Sequence, residues 1–478
     1  MIKANDILEL DITAYAFEGK GIAKLTDSDE AEGAGFVVFA DHAYPGDRVK
    51  AKIVKKKKNY AEAKVIEVLS PSPKREETIK CRYFGVCGGC KQLDLRYSEQ
   101  LFYKQQQVEE IFRTIGGFTE FNIEPILASE NKIFYRNKME FTFSTRRWRT
   151  QSDLENRDLV IEDDLYVGLH IPRIFDKVLD IEECFLQSEL SNKIINFTRD
   201  FFRKRKVTAY DTRTHSGFLR NLMIRQSYHT SDLMVNLVTL SQNDKLLQEY
   251  TMALLREVPA VSTVVNNVNT TKASIARGEF EVVYYGSGKI TDKLGKHFFE
   301  ISPNSFFQTN THQAENLYSV AKDYADFKGT ETVYDLYCGA GTISSFIAGD
   351  VKEVYGFESV LDAVNDAIKN RDDNGITNTR FFTADLNKSF LPVLEQENIP
   401  AADVMMIDPP RSGMHPGTVQ DVLTLMPRRI VYVSCNPATQ ARDVKMLVEG
   451  GYELIKMRPV DMFPHTYHIE NVVLLKKK

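Results

Sequence analysis

The sequence predicts three domains: a small OB-like β-barrel, an α+β central domain and a doubly wound α/β domain of the Rossmann type. Three observations predict this multidomain fold: short β-rich runs up to residue 70, mostly strand-like runs from residue 135 to about 300, and apolar strands that alternate with helices after residue 332. With 478 residues, 43% of them hydrophobic, the chain is long enough to bury several cores. We expect the domains to span residues 1–70, 71–300 and 301–478.

The barrel is predicted from four β-rich runs, at residues 7–15, 35–39, 48–54 and 60–69, with glycine-containing turns. The stretch Ser70-Pro-Ser-Pro73 ends the pattern. A dense basic stretch lies inside this domain and consists of Arg48, Lys50, Lys52, Lys55, Lys56, Lys57, Lys58 and Lys64. It is either a surface that contacts phosphates, with Tyr60 as a stacking aromatic, or a solvated hairpin tip.

Three cysteines, Cys81, Cys87 and Cys90, lie in one short segment, and Cys184 could supply a fourth thiol from far along the chain. Six cysteines in so long a chain argue against a secreted disulfide scaffold. Thiolates suit soft metals, and structural zinc commonly uses two close pairs of ligands. The three-plus-one arrangement fits an iron-sulfur cube at least as well, and free reduced thiols are the remaining interpretation.

The α/β domain begins with a strand that carries Asp335 and leads into a glycine-rich turn. Glu358, Asp385 and Asp408 end the next predicted strands. Because the carboxyl ends of strands in an open parallel sheet line one crevice, these four acids could face one ligand. Ser344 occupies the third glycine position of a dinucleotide motif, which favours S-adenosylmethionine over a dinucleotide. The alternative is a Rossmann-type fold whose acids only cap helices.

Seven short motifs are distributed along the chain from residue 135 to its end. They are Tyr135-Arg-Asn-Lys138, Gly217-Phe-Leu-Arg220, Ser305-Phe-Phe-Gln-Thr-Asn310, Asp335-Leu-Tyr-Cys-Gly-Ala-Gly341, Asp408-Pro-Pro-Arg411, Ser434-Cys-Asn-Pro437 and His465-Thr-Tyr-His-Ile-Glu470. In combination they resemble the RNA uracil-5-methyltransferases, which make 5-methyluridine in ribosomal and transfer RNA. The N-terminal barrel resembles the TRAM domain of the ribosomal RNA branch, whereas the transfer RNA branch usually lacks both that domain and the cysteine cluster.

The resemblance implies an S-adenosylmethionine-dependent methyltransferase domain and a set of residues for it. The residues implied to contact S-adenosylmethionine are Gln308, Tyr337, Glu358, Asp385 and Asp408. The ligands implied for a 4Fe-4S cluster, with a structural or RNA-recognition role, are Cys81, Cys87, Cys90 and Cys184. The resemblance also implies that an amphipathic helix at about residues 98–117 packs on the methyltransferase domain. The expected substrate is a uridine of 23S ribosomal RNA, with transfer RNA as the alternative.

Methylation at carbon 5 of uracil requires a nucleophile and a base. A thiolate that adds to carbon 6 turns the ring into an enolate, carbon 5 takes up the methyl group, and a base then removes the carbon 5 proton. By the resemblance, Cys435 is the nucleophile and Glu470 the base. Cys435 follows a predicted strand and can reach a pocket mouth, whereas Cys338 in the glycine turn is more consistent with packing. On pKa grounds alone, His465 and His468 could equally serve as the base.

Recognition of RNA is predicted from aromatic and basic side chains. A base inside folded RNA must be extruded, and Phe306 or Phe307 could stack on the flipped uracil, unless both are core aromatics. The basic residues on predicted central strands are Arg136, Lys138, Arg220 and Arg225. They are either phosphate contacts or solvated charges.

Composition limits the remaining function classes. Sixty-one basic and 66 acidic side chains give a formal charge of -5, which excludes a histone-like polycation. The absence of an apolar run of about 18 residues predicts a cytoplasmic protein without a membrane partner. We expect a monomer that does not bind DNA. Two rival functions are an amino-group methyltransferase, although Arg411 replaces the aromatic residue expected after Asp408-Pro-Pro, and an RNA-binding chaperone with an inactive transferase domain.

Overall fold

A computed structural model describes residues 2–25, 36–156, 164–172, 174, 176–272 and 277–478. Within these ranges the chain forms three large sheets in succession, and a two-stranded hairpin lies between the second and the third. The predicted start of a strand at Gly35 lies outside the described residues. None of the described helices combines the length and the apolar character that crossing a bilayer requires.

The first sheet wraps around a small apolar core. Its described strands are β1 Ile7–Asp11, β2 Ala14–Ala16, β3 Lys20–Leu25, β4 Phe36–Asp41, β5 Arg48–Lys56 and β6 Tyr60–Ser70, in the spatial order β1-β5-β6-β4-β3-β2. Alternate side chains point inward, among them Leu10, Val38 and Ile53. Strand β3 has no counterpart among the predicted strands, because its buried positions are Gly21 and Ala23, which give a weak alternation signal.

The central sheet has the order β13-β12-β11-β10-β7-β8-β9. Its strands are β7 Lys138–Ser144, β8 Tyr166–His170, β9 Val178–Asp180, β10 Leu219–Gln226, β11 Leu233–Thr239, β12 Thr263–Val268 and β13 Phe280–Tyr285. The helices of this region are α2 Gln151–Glu155, α3 Glu189–Lys204 and α4 Asp244–Glu257.

The regular elements of residues 135–300 are mostly strands, as predicted, and helices α3 and α4 supply the helical part of the predicted α+β domain, which the strand pattern did not locate. Phe202 of α3 stacks on Tyr250 of α4 with ring centroids 5.0 Å apart, and both rings belong to the core under the sheet. The side chain of Ser188 caps α3, and that of Asn243 caps α4. These capping residues are helix-start signals that the sequence carries and that the strand interpretation passed over.

The third sheet is the doubly wound one, with the order β18-β17-β16-β19-β20-β22-β21. Its strands are β16 Thr332–Leu336, β17 Glu353–Glu358, β18 Thr379–Thr383, β19 Val404–Ile407, β20 Arg429–Ser434, β21 Tyr452–Val460 and β22 Glu470–Lys477. Strands β16 to β20 are parallel, and β22 is antiparallel to both β20 and β21. The strand order reverses between β16 and β19, which is where open α/β sheets bind ligands.

Helices cover both faces of this sheet. They are α5 Thr311–Ala325, α6 Thr342–Ile347 with a 3₁₀ turn at Ala348–Asp350, α7 Leu361–Asp373, α8 Leu391–Gln396, α9 Pro416–Leu425 and α10 Pro437–Glu449. Helix α1, Tyr97–Thr114, joins them from far upstream in the chain. Its side chains Val108, Ile111 and Phe112 lie in the same core as Val444 and Leu447 of α10.

The hairpin of β14 Ile290–Leu294 and β15 His297–Ile301 also belongs to the α/β core. Leu294 and Phe299 are buried in one cluster with Leu317 of α5 and Val431 of β20. The expected boundary at residue 300 assigns this hairpin to the central domain. Its apolar face instead packs on the third domain, which therefore takes up segments on both sides of the central sheet.

Candidate functional site

A cavity of about 1000 Å³ lies at the carboxyl ends of the α/β strands. The predicted site residues that line it are Gln308, Tyr337, Glu358, Asp408, Cys435 and Glu470. Asp385 is not among the lining residues, although its neighbours Leu386 and Asn387 are. The Asp385 carboxylate lies 3.1 Å from the Lys388 ammonium and accepts a hydrogen bond from the Asn387 amide.

The glycine-rich turn after β16 shapes one wall. Tyr337 has φ +65°, and its amide and that of Cys338 both donate to the carbonyl of Phe357. Gly339 has φ +52° and open space where a Cβ would lie, whereas a Cβ on Gly341 would come within 2.8 Å of the Phe381 ring. Gly339 therefore leaves its backbone accessible to a ligand, and Gly341 serves helix packing.

Glu358 is held rigidly at the end of β17. One carboxylate oxygen accepts from the Gly339 amide at 3.2 Å, and the other accepts from the amides of Ser359 and Val360 at 2.7 and 2.9 Å. This fixes the carboxylate beside the glycine turn, in the position where a strand-end acid binds ribose hydroxyls.

The first acid of the series, Asp335, has a different role from the one that the strand-end pattern suggests. Its side chain is fully buried and accepts hydrogen bonds from the Ser344 amide and hydroxyl at 3.0 and 2.6 Å. Asp335 thereby joins β16 to α6 and does not line the cavity. Burial raises the pKa of Asp335 to about 7, and burial together with the nearby Asp335 charge raises the pKa of Asp408 to about 7.

Cys435 lies between β20 and α10. The next residue, Asn436, caps α10 through the Ala438 amide and donates to the Arg411 carbonyl at 3.0 Å, which joins the Cys435 loop to the loop after β19. Burial raises the pKa of the Cys435 thiol to about 11, the charges of Glu470 and Asp408 add to the shift, and the Arg411 guanidinium opposes it. The thiol is protonated at neutral pH until a positive charge or a base lowers its pKa.

Glu470 begins β22 and faces the same cavity as Cys435. Burial raises its pKa well above the usual value, the charge of Asp408 adds to this, and Arg411 opposes it. His465 and His468 instead line a second cavity, and burial lowers both of their pKa values to about 4. The raised pKa makes the Glu470 carboxylate, once ionised, a stronger base, whereas the lowered pKa values make the two imidazoles weaker bases. The geometry and the pKa shifts thus favour Glu470 over both histidines as the base.

Two phenylalanines are candidates for stacking on a base. Phe306 is 73% exposed and lies at the cavity, whereas Phe307 is buried with its ring 6.1 Å from that of Phe299. Phe306 is therefore the side chain available to a flipped base.

Two of the four central basic residues, Arg220 and Arg225, have structural roles and are not free for phosphates. Arg225 is buried and donates to the carbonyls of Pro303 and Ser305, which supports the loop that leads to Phe306. Arg220 is also buried and donates to the carbonyls at positions 269 and 271. Their charges are used inside the fold to hold loops.

The four cysteines predicted as metal ligands line the second cavity, of about 840 Å³. Burial raises the pKa of Cys87 to about 11, and it also raises the pKa values of Cys90 and Cys184. Across the described ranges, no group of three or more His, Cys, Asp or Glu side chains is arranged to hold a metal ion. The four thiols share one cavity without forming a compact single-ion site.

The basic stretch of the barrel is exposed along β5. Lys50 and Lys52 point outward while Val49, Ala51 and Ile53 between and beside them are buried. Tyr60, the predicted stacking aromatic, packs edge-on against Phe39 at 5.7 Å between ring centroids. The exposed lysines remain available for phosphates.

Family models match two parts of the chain. Residues 275–478 match the model described as tRNA (uracil-5-)-methyltransferase, and residues 4–66 match the TRAM domain. An RNA methyltransferase of Chlorobaculum tepidum, itself named as uncharacterized, is 43% identical over 99% of this chain and 97% of its own. One from Bacteroides thetaiotaomicron is 41% identical over 96% of this chain and 99% of its own. The chain belongs to the RNA uracil-5-methyltransferase family.

A solved structure agrees with this membership over the full chain. The crystal structure of a Pyrococcus abyssi tRNA (uracil-54, C5)-methyltransferase in complex with S-adenosyl-L-homocysteine is 27% identical, with a TM-score of 0.73. It covers 98% of this chain and 100% of its own. The TRAM domain and the Rossmann-like domain expected from sequence are thereby confirmed for this uracil-5-methyltransferase.

Arg411 is a further candidate site residue that the sequence pattern did not single out. Arg411 lines the cavity, opposes the rise in pKa of both Cys435 and Glu470, and lies 3.4 Å from His468. The signal was present, because Arg411 ends the Asp408-Pro-Pro-Arg motif. The sequence alone does not show that the motif's last residue reaches back to the thiol.

Proposed function

We propose that this protein methylates carbon 5 of a uridine in 23S ribosomal RNA. The observation that carries the proposal is the single cavity that a thiol, a high-pKa carboxyl and the glycine turn share at the point where the strand order reverses. A cysteine in that position has no role in amino-group methylation, which disfavours that rival.

The residues proposed to bind S-adenosylmethionine are Gln308, Tyr337, Glu358, Asp385 and Asp408. The accessible backbone of Gly339 and the fixed carboxylate of Glu358 support this set. S-adenosylmethionine supplies the electrophilic methyl group. Asp385 is the least supported member, because its carboxylate is paired with Lys388 outside the cavity lining.

In the proposed reaction, the Cys435 thiolate forms a bond to carbon 6 of the uracil, and the electron pair of the 5,6 double bond moves to carbon 5 and oxygen 4. Carbon 5 then bonds to the methyl group while the sulfur–methyl bond of the sulfonium breaks, and its electron pair stays on the sulfur of the departing S-adenosylhomocysteine. Glu470 takes the carbon 5 proton, the double bond re-forms, and the thiolate leaves carbon 6. Glu470 must be ionised for this step, and its raised pKa makes the ionised carboxylate a stronger acceptor of that proton.

We also propose a 4Fe-4S cluster on Cys81, Cys87, Cys90 and Cys184. The chemistry of the donor set supports it, since all four thiols line one cavity. The described residues contain no group of three or more His, Cys, Asp or Glu side chains arranged to hold a metal ion, so the proposal rests on the donor chemistry and on the family resemblance. Methyl transfer itself requires no redox step, so the proposed role is structural.

Transfer RNA is the second candidate substrate, because the solved relative from Pyrococcus abyssi is named as a tRNA methyltransferase and matches the chain throughout. By family resemblance the four cysteines together with the TRAM domain support the ribosomal choice, although the match to the tRNA enzyme also covers the barrel. The deciding experiment incubates purified protein and labelled S-adenosylmethionine with unmodified 23S ribosomal RNA and, separately, with tRNA transcripts, followed by digestion and mass mapping of 5-methyluridine. Label in 23S RNA alone supports the proposal, label in tRNA alone moves it to the alternative, and no label in either favours an inactive RNA-binding chaperone.

A further inference from the structure

We propose that Gln100 and Lys104, two buried side chains of helix α1, are positioning residues that hold the base Glu470 at carbon 5 of the bound uracil. Neither residue lines the cavity of about 1000 Å³. Both act through the chain segment 461–469, which leads directly into Glu470 and is here named the base loop. The inference rests on the proposed function, because it assigns Glu470 to removal of the carbon 5 proton.

The base loop is anchored from several distant segments. Four successive carbonyls, those of residues 462 to 465, each accept a hydrogen bond from outside the loop. The external donors are Asn310 to Met462 at 2.9 Å, Lys104 to Phe463 at 3.2 Å, Tyr135 to Pro464 at 3.0 Å, and the Lys91 and Gln92 amides to His465 at 2.9 and 3.0 Å. An irregular segment with this many external bonds has little freedom to shift.

Among these anchors, Lys104 carries the largest free-energy cost of desolvation, because its charge is buried. Its side chain and that of Asp461 are both completely buried, and the ammonium lies 2.6 Å from the carboxylate. Tyr97, two helical turns away on α1, donates its hydroxyl to the second oxygen of Asp461 at 2.8 Å. Two buried charges are retained only where their geometry is closely satisfied, so this pair fixes the start of the base loop on α1.

Gln100 fixes the middle of the loop. Its carbonyl oxygen accepts from the His465 amide at 2.9 Å, and its amide nitrogen lies 3.2 Å from Nδ1 of the His465 ring. The same nitrogen donates to the carbonyls of Gln92 and Leu95 at 2.9 and 2.7 Å. Gln100 thus joins α1, the segment after Cys90 and the base loop at one point.

His465 is the residue at which this anchoring matters most. It has φ +66°, a left-handed conformation that a non-glycine residue keeps only when its surroundings enforce it. Both its amide and its carbonyl are bonded from outside the loop. After this turn, His465 and His468 line the cysteine cavity. Glu470, at the end of the base loop, lines the cavity that contains Cys435.

The chemical consequence is specific to one step. Addition of Cys435 and methyl transfer do not use Glu470, whereas elimination does. A loosened base loop should therefore leave the first steps intact and slow elimination, by about 100-fold for a displacement near 1 Å. The expected signature is methylated RNA that stays bonded to Cys435.

Helix α1 offers a matched control. Gln107 is as buried as Gln100, but its amide donates to the Ala16 carbonyl of the barrel at 2.9 Å and does not reach the base loop. We would compare Gln100→Leu with Gln107→Leu, and add Lys104→Met and the milder Tyr97→Phe, which removes one hydroxyl. Each variant of the full chain is mixed with substrate RNA and labelled cofactor. The readouts are the denaturation-resistant complex on a gel, released 5-methyluridine, cofactor affinity and thermal unfolding.

Adduct accumulation by Gln100→Leu and Lys104→Met, with wild-type turnover by Gln107→Leu, is the expected result. Tyr97→Phe should show the same adduct to a lesser degree, which keeps the test open if the larger changes prevent folding. Folded Gln100 and Tyr97 variants that release product at the wild-type rate would overturn the inference. Glu470→Gln is the reference: normal turnover by that variant means that the proposed role of Glu470 has failed, whereas an adduct there and none in the α1 variants means that only the positioning role has failed.

Discussion

The cavity at the strand ends of the α/β domain is lined by short segments that all lie between Arg277 and Glu470, whereas the cysteine cavity combines residues 81–93, 133–140 and 169–186 with residues 465–468 from near the end of the sequence. The base loop contributes to both cavities. Phe463 lines the cavity at the strand ends, as does Glu470, which follows the loop, and His465 to His468 line the cysteine cavity. The first cavity holds acids whose pKa values burial raises, and the second holds thiols and neutral imidazoles. This contrast predicts that the chemistry takes place in the first cavity and that the second has a structural role.

The largest effect expected in the first cavity comes from Cys435→Ala. Loss of the nucleophile should lower methyl transfer by about 1000-fold or more, because uracil carbon 5 is not activated without the thiolate adduct. Affinity for S-adenosylmethionine, measured by calorimetry, should change little. RNA containing 5-fluorouridine should trap the wild-type protein covalently and not this variant.

Cys338→Ala is the matched control for the nucleophile. Cys338 is buried against Phe381 and Val364 beside the glycine turn. The control should still form the covalent complex with 5-fluorouridine RNA. Trapping by Cys435→Ala together with its loss in Cys338→Ala would transfer the nucleophilic role to Cys338.

The second cavity is tested by Cys184→Ser. Anaerobically purified wild-type protein should contain about four iron and four sulfide per chain, and the variant about one iron or fewer, since the cluster loses its remote ligand. Iron and sulfide analysis with the visible absorption spectrum measures this. Stoichiometric zinc without iron in the wild type, or unchanged iron in the variant, would contradict the assignment. The affinity for S-adenosylmethionine should be preserved, because no cysteine of the second cavity lines the first cavity.

The difference between the cavities also explains what the sequence could predict. Residues of the first cavity follow strands directly, so a local pattern of strand, acid and glycine located Glu358, Asp408 and Cys435 near one crevice. The roles of Cys435 and Glu470 stay predictions. The same pattern included Asp335, which a hydroxyl from the following helix binds instead. Whether a strand-end acid faces the ligand or is bound by a side chain such as that of Ser344 depends on tertiary packing.

The base loop shows the limit of sequence patterns more clearly. His465, His468 and Glu470 lie within six residues, and their chemistry alone left three candidates for the base. The left-handed turn at His465 sends the histidines to one cavity and the glutamate to the other. That turn is held by Gln100 and by amides next to Cys90, some 365 residues earlier in the chain. The sequence around Glu470 contains no signal that predicts this arrangement.

A third prediction concerns the guanidinium of Arg411, whose charge lowers the pKa of both Cys435 and Glu470. Because Arg411 holds down the pKa of Cys435, its replacement should raise that pKa and reduce the thiolate fraction at neutral pH. Because the pKa of the Cys435 thiol is about 11, both proteins lie below it at neutral and mildly alkaline pH. Both trapping rates should therefore rise about tenfold per pH unit, and the rate of Arg411→Gln should lie below that of wild type by a constant factor. Time courses of trapping by 5-fluorouridine RNA between about pH 6 and 10 measure this, a range that spans the rise in thiolate.

Arg411→Lys keeps the positive charge and should retain more of the wild-type trapping rate than the glutamine variant. A glutamine variant that traps more slowly although its thiol pKa, followed by the ultraviolet absorbance of the thiolate, equals that of wild type would show that Arg411 orients the RNA and does not tune the thiol.

The smallest expected effect lies outside both cavities, on the exposed lysines of the barrel. Lys50→Gln combined with Lys52→Gln should weaken RNA binding a few-fold and reduce the dependence of log Kd on log salt by about 0.7 to 0.9 for each phosphate that a lysine no longer neutralises. The rate of methyl transfer at saturating RNA should not change, because neither lysine lines either cavity. Lys245→Gln combined with Lys445→Gln removes the same charge from exposed positions on α4 and α10 and should leave the salt dependence unchanged. Filter binding over a range of salt concentrations gives the slopes. Equal slopes for the two double variants would assign the barrel lysines to a solvated hairpin and leave RNA recognition to the surface around Phe306.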